Sequence, residues 1–272
     1  MDEVGLVDEV DAVKVDAVKV DADLIELLDI LDAPLIVRNR NFVHQGKGDH
    51  EMNQRRRMST GSLLTAIDVL GGNFRHLVIE DCTCRCAKLK VKVLRRIILA
   101  CTDLHALSIV RIDLAGLWNY VFYDALIEDR LSNLTSITLE QINASRMDDV
   151  VSILNLLQKN SMQLVRLTLH LGDKMNNHCM YGMRSILCSP EEFPVLKTLV
   201  IKDFFPVDQC EDHDIPWYKW IGQLEMLSIG TNRNTLLRIL YARRMMGSSS
   251  PLKTVVFYPN EVERYAPEVY SF

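Results

Sequence analysis

The 272-residue sequence has no apolar run approaching the ~20 residues that a bilayer-crossing helix needs. Its opening, Met1–Asp2–Glu3, lacks the basic flank and apolar stretch of a secretory signal. Cysteine occurs seven times, an odd number in no regular framework, which argues against a disulfide-stapled secreted domain. An excess of positive charge is also missing. A formal charge of −5 and a pI near 5.8 disfavour nucleic-acid binding driven by bulk charge. No GxSxG elbow, HExxH pair, phosphate loop or GxGxxG turn is present, so no local motif marks an enzyme. These absences lead us to expect an intracellular protein, cytoplasmic or nuclear. Its thiols should be free, and it should have no membrane span, no cofactor and no catalytic activity of its own.

What the sequence does contain is periodic. An apolar share of 48% is ample for a large core. Much of it falls into one phrase: large apolar, two variable, large apolar, one variable, large apolar. Seven copies occur, at Phe74–Leu77–Ile79, Leu104–Leu107–Ile109, Leu134–Ile137–Leu139, Leu164–Leu167–Leu169, Leu196–Leu199–Ile201, Leu224–Leu227–Ile229 and Leu252–Val255–Phe257. Their first positions are 30, 30, 30, 32, 28 and 28 residues apart. Each phrase reads as a short strand whose second and third anchors face a core.

Between the strands lie stretches of helical period. We expect helices over 61–70 (Leu63, Leu64, Ile67 and Leu70 inward) and 87–101 (Leu94, Ile97, Ile98 and Cys101 inward). Later stripes are Leu114, Leu117, Trp118, Val121, Phe122 and Ala125, then Met147, Val150, Val151, Leu154 and Leu157. They continue with Met180, Met183, Ile186 and Leu187, and finally Leu236, Leu237 and Leu240. The sixth unit departs from this plan. After Ile201 an aromatic and acidic loop leaves room only for a short helix from Pro216–Trp217 to about Ile221.

The chain divides into three segments. Residues 1–23 form an acidic leader in which Asp11–Val15 is repeated as Asp16–Val20. Residues 24–58 hold a short leucine-rich helix ended by Pro34, an extended Leu35–Ile36–Val37 that could cap the first repeat, and a polar linker with Arg55–Arg57. Residues 59–272 carry the repeats.

Parallel strand–helix–strand units cross over right-handedly, and helices are wider than strands. The stack should therefore be an α/β solenoid with strands on a concave wall and helices outside. This pattern resembles the leucine-rich repeat family, in its long, fully helical ribonuclease-inhibitor-like class, over about residues 60–260. In that family the phrase ends on asparagine or cysteine. Here the position holds Cys82, Ile112, Ile142, Gly172, Phe204, Asn232 and Asn260, and only three of the seven agree. The resemblance implies a protein–protein interaction scaffold that binds a partner on its concave face. Many intracellular proteins of this build are similar to F-box proteins, the substrate receptors of cullin-type ubiquitin ligases. That version would make Leu24–Phe42 the contact for a Skp-type adaptor, although the segment lacks the leading Leu-Pro of that box. The alternative is a binding regulator, such as an enzyme inhibitor or GTPase regulator.

Candidate contact residues follow from the strand face opposite the anchors. The middle column (Val78, Ser108, Thr138, Thr168, Val200, Ser228 and Val256) is small or β-branched, as an inner wall prefers. Charge and size collect beside it, at Glu80, Arg111, Glu140, Arg166, His170, Lys202 and Tyr258. Mixed sign suits a specific protein surface. In the aromatic loop, Phe204 should be buried, while Phe205 and Trp217 are expected at the surface, where aromatics make hot spots. Cys82, Cys84 and Cys86 have no fourth ligand and no CxxC pair, so no metal site is expected there, nor at Cys210 with His213 or at His178–Cys179.

Overall fold

The computed structural model describes residues 35–39, 68, 71–81, 91–112, 116–144, 146–171, 177–204, 215–259 and 267–272. Chain contacts divide the protein into two units, Met1–Leu31 and Asp32–Phe272, and the described residues belong to the second. Apart from the helical Asp68, the expected helix over 61–70 lies outside the described residues, as do the cysteine cluster at 82–86, the Leu24–Leu31 helix and Phe205.

The second unit alternates strand and helix. In order, its elements are β1 (Leu35–Asn39), β2 (His76–Asp81), α1 (Val91–Ala100), β3 (Ala106–Val110), α2 (Trp118–Ile127), β4 (Ser136–Glu140), α3 (Met147–Asn160) and β5 (Arg166–His170). They continue with α4 (Asn177–Cys188), β6 (Thr198–Phe204), α5 (Trp217–Ile221), β7 (Met226–Gly230), α6 (Arg233–Met246), β8 (Thr254–Tyr258) and β9 (Glu268–Ser271). Among the described residues these nine strands form one sheet whose spatial order is the chain order. Strands β1 to β8 are parallel, and β9 closes the far edge antiparallel to β8.

Register aligns the repeat. Leu77, Leu107, Ile137, Leu167, Leu199, Leu227 and Val255 form one rung, and Ile79, Ile109, Leu139, Leu169, Ile201, Ile229 and Phe257 the next. Leu35 and Val37 of β1 continue these rungs before the first copy of the phrase. Every one of the fourteen repeat anchors in these two rungs is at most 1% exposed. Because strand side chains alternate, their neighbours on β3, β4 and β8 stay half-exposed, whereas Ser228 and Gly230 of β7 are buried. The buried residues of the helices join the same core cluster as the anchors, so the helices cover one face only. Each buried leucine there contributes about 1.5–3 kcal/mol through removal from water.

Backbone bonds repeat with the phrase. The carbonyl just before each strand accepts two amides from the next unit: Arg75 takes His105 and Ala106, His105 takes Thr135 and Ser136, and Thr135 takes Val165 and Arg166. Val165, Lys197 and Glu225 continue this ladder to Thr254. A chain of such bonds holds successive units at one height, which keeps the rungs level.

Buried polar groups tie the helices together as well. Asp149 of α3, fully buried, accepts the Gly116 amide at 2.6 Å and the Trp118 amide at 3.1 Å. It thereby caps α2 from the neighbouring unit, satisfying donors that a helix start leaves open. Asn160, at the other end of α3, accepts the Leu134 amide and donates to the Leu131 and Leu156 carbonyls. Trp118 donates its indole N–H to the Ile142 carbonyl at 3.0 Å, and Trp220 does the same to Leu187 at 2.8 Å. Gly182 of α4 lies against α3, where an added Cβ would come within 2.5 Å of the Val150 side chain.

Four residues expected to face inward are exposed: Leu117, Met147, Val151 and Leu237. Leu117 precedes the first turn of α2, and the others sit beside the true stripe. Of the adjacent pair in α6, Leu236 takes the core side and Leu237 faces outward. Ile153, Leu156 and Ile239 complete the buried stripes instead.

Candidate functional site: the open face of the sheet

The sheet face that the helices leave uncovered carries the candidate contact residues. Glu80, Val110, Glu140 and His170 are in register at the carboxyl ends of β2 to β5. Tyr258 stands opposite Gly230 at the same end of β8 and β7. The fold therefore places Glu80, Arg111, Glu140, His170, Lys202 and Tyr258 along one margin. Arg166 is separate, at the amino end of β5, where it is exposed.

The chain leaves these strands through unusual turns. Arg111, Gln141 and Asn143 have φ of 58°, 54° and 49°, the left-handed region that non-glycine residues rarely enter. After each strand the next residues, Ile112 and Ile142, occupy the position that in the resembled family is polar, and both are buried. The left-handed residue before each isoleucine lets the chain turn while the apolar side chain drops into the core. Arg111 donates its backbone amide to the Glu140 carbonyl at 2.8 Å. At the sixth position, by contrast, Asn232 acts as a polar turn residue. Its side chain accepts the Thr235 amide at 2.8 Å and starts α6.

Charges along the margin pair with one another. The Arg111 guanidinium bonds the Glu80 carboxylate on the preceding strand. Lys202 reaches Glu140 at 2.6 Å, two strands away, passing over the row that holds His170. The register of β5 with β6 puts Lys202 next in the row of Glu140 and His170, so its long side chain can span that row. Beyond Ile201 the register of β6 with β7 slips. The mixed charge read from sequence is thus a pre-arranged pattern of ion pairs, all partly exposed.

At the opposite margin, just before the strands, Glu225 sits between Lys253 at 2.8 Å and Lys197 at 3.0 Å. Hydrogen bonds from Lys253 and Lys197 hold its carboxyl down at about 2. Cys101 lies in the core, and burial pushes its thiol up to about 12.

Trp217 is a correction. It was expected at the surface but is only 6% exposed, within the core cluster. The physical reason is the shortness of α5. Five residues must fill the layer that ten to fourteen fill elsewhere, so Trp217, Trp220 and Ile221 all turn inward. Phe193 packs against Trp220 with ring centroids 6.4 Å apart. Among the described residues the Trp217 indole N–H has no partner. From that loop it is Tyr218 that is exposed.

Sequence patterns missed a groove on the helical side. It has a volume of about 260 Å³ and lies between α2 and α3, lined by Tyr123, Leu126 and Ile127 with Asn119, Ser152, Asn155 and Lys159. The signal present was an aromatic residue at a solvent position of α2, which periodicity alone discards as an irregularity. Among the described residues, no three His, Cys, Asp or Glu side chains gather as metal ligands. Nor is any helix there long and apolar enough to cross a membrane. Compared with protein-family models, curated proteins and solved structures, the chain matches none.

Proposed function

We propose that this protein is a binding scaffold of leucine-rich repeat type, a right-handed solenoid that holds a protein partner on the open, concave face of its sheet. The observation that carries this reading is the one-sided core. The aligned units bury their anchors against helices and leave half-exposed side chains on the opposite face of β2 to β6 and β8, with Ser228 and Gly230 of β7 buried between them. Its middle column from Ser108 to Val200 is short, so a partner can approach the backbone closely. The margin of Glu80–Arg111 and Glu140–Lys202 pairs supplies register, since fixed charges of mixed sign discriminate between partners more than they add affinity. Three strained turn residues at the same margin support placing specificity there.

Within this reading the chain would act in the cell as a substrate receptor or as a regulator, without chemistry of its own. Strand β1 bears on the choice. Leu35–Asn39 pairs in register with β2, which favours that segment as the first rung of the sheet. An adaptor contact would then rest on Leu24–Leu31.

The test is to recover partners from the native source on the full chain and on a Ser108→Arg, Thr138→Arg, Thr168→Arg variant. Large side chains on the exposed column should abolish the specific partner while leaving the thermal unfolding midpoint unchanged. Retention of every partner by this variant would exclude the sheet face. Recovery of a Skp-type adaptor that is lost when residues 24–31 are replaced would assign the substrate-receptor version. Partner binding without that adaptor would assign the regulator.

A further inference from the structure

The outer surface of α2 and α3 lies on the helical side of the sheet, away from its open face. Tyr120, Tyr123 and Ile127 fall within about 60° of one another on α2 and form a ridge about 10 Å long. They are 41%, 56% and 63% exposed. Beside the ridge runs the groove of about 260 Å³, with Tyr123 and Ile127 on its α2 wall and Asn155 on its α3 wall. Val151, one turn before Asn155, is 40% exposed and extends that second wall. Single exposed apolar residues are common on proteins, but a ridge and groove side by side make a patch.

The charges of these two helices are nearly all committed within the chain. Asp124, the one charged residue of α2, pairs with Arg95 of α1. That guanidinium also lies 4.6 Å over the Tyr120 ring. On α3, Lys159 pairs with Asp129 and donates to the Leu126 carbonyl. Asp149 is buried as the cap of α2. Asp148 remains, in the first turn of α3, where its charge favours the amides of its own helix. Such a face offers little to a strongly charged partner, and it does not repel a copy of itself.

We propose that this face joins two copies of the chain into a two-fold dimer, the α2 ridge of each seated in the α2–α3 groove of the other. A two-fold contact needs a surface that is complementary to itself. An uncharged ridge beside an uncharged groove meets that need, because helices dock by setting ridges into grooves. The contact is a layer of four helices with tyrosines at its centre, a residue type that dominates hot spots. A tyrosine has roughly 150–250 Å² to bury, so the ridge and Val151 together offer about 400 Å². The polar walls of the groove carry the contact towards the roughly 800 Å² per partner of a standard interface. Both open sheet faces stay accessible, so the dimer would present two binding walls and gain avidity for a repeated partner.

Static light scattering tests this on the full chain between about 1 and 100 µM, the range in which a micromolar dimer assembles. The wild type should pass from one copy to two and go no further. A Tyr123→Asp, Ile127→Asp variant should dimerise at least about tenfold more weakly, since carboxylates would then face one another across the contact. Its thermal unfolding midpoint should not change, because both side chains are exposed in the single chain. Ile127→Ser, a milder change, should weaken the dimer as well. Leu237→Asp on α6 and the Ser108→Arg, Thr138→Arg, Thr168→Arg wall variant should dimerise normally, which separates this face from α6 and from the sheet. The dimer should also survive an about tenfold rise in salt, because no ion pair crosses the contact. A single copy at every concentration, growth beyond two copies, dissociation by salt, or a dimer that the Tyr123 and Ile127 variants retain would each overturn the proposal.

Discussion

Leu167 and Thr168 are adjacent, and the strand sends them to opposite faces. Leu167 is fully buried in the rung between Ile137 and Leu199, whereas Thr168 stands in the open column. Leu167→Ala should lower stability by about 2–5 kcal/mol, the range for truncating a buried leucine. Thr168→Ala should change it little. Urea titration of both variants checks the pair, and equal losses would reverse the face assignment. Glu225 permits a second test at this scale. Its carboxyl is held at about 2, below its ordinary 4.5, by Lys253 and Lys197. A depressed carboxylate stabilises the fold fully above the unfolded value and loses that contribution as pH falls through the folded one. The stability difference between the wild type and Glu225→Gln should therefore be constant above about pH 5 and shrink between roughly pH 4.5 and 2. A difference that grows on acidification would contradict the pairing.

Elements here depend on one another for their ends. Helix α2 begins with amides that its own sequence does not cap, since Leu117 offers no side-chain acceptor. The carboxylate comes instead from Asp149, two turns of chain and one strand later. Asp149→Ala should strand those amides in the core and cost about 1–3 kcal/mol. Asp148→Ala, one residue earlier and exposed, should cost less than about 0.5 kcal/mol. Hydrogen exchange at Gly116 and Trp118 should accelerate in the first variant only. The reason this cap could not be read in advance is physical. Sequence shows that Asp148 and Asp149 suit a helix start, but both suit it equally. Only packing against the preceding unit decides which one is buried and whose amides it meets. The stripes of α2, α3 and α6 behave alike: the period was legible, but the phase slipped at Leu117, Val151 and Leu237, where the adjacent Trp118, Val150 and Leu236 take the core side.

For the sheet as a whole, the edges matter most. Strand β9 pairs antiparallel along β8, from Thr254 opposite Ser271 to Phe257 opposite Glu268. Arg233 and Arg243 of α6 hold it there. Without it, β8 would present unpaired backbone groups, which recruit other strands. A chain ending after Ala266 should associate beyond two copies in a concentration-dependent way by light scattering and unfold at lower urea. A truncation that stays at two copies or fewer with an unchanged midpoint would show that β9 is dispensable.

Sequence by itself determined the parallel strand ladder. A phrase repeated every 28 to 32 residues must put equivalent residues at equivalent heights, because each unit can bury its apolar face only on its neighbours. It also determined which strand residues face the core, since a period of two leaves no freedom once one face is apolar. Tertiary structure alone decided the rest. It turned Trp217 inward, because a five-residue helix had a full layer to fill. It paired Lys202 with Glu140 two strands away, a reach along the row that spacing along the chain does not reveal. It left Leu237, Tyr241 and Met245 of α6 exposed. These outcomes depend on distances between units, and a one-dimensional pattern carries spacing along the chain but not across it.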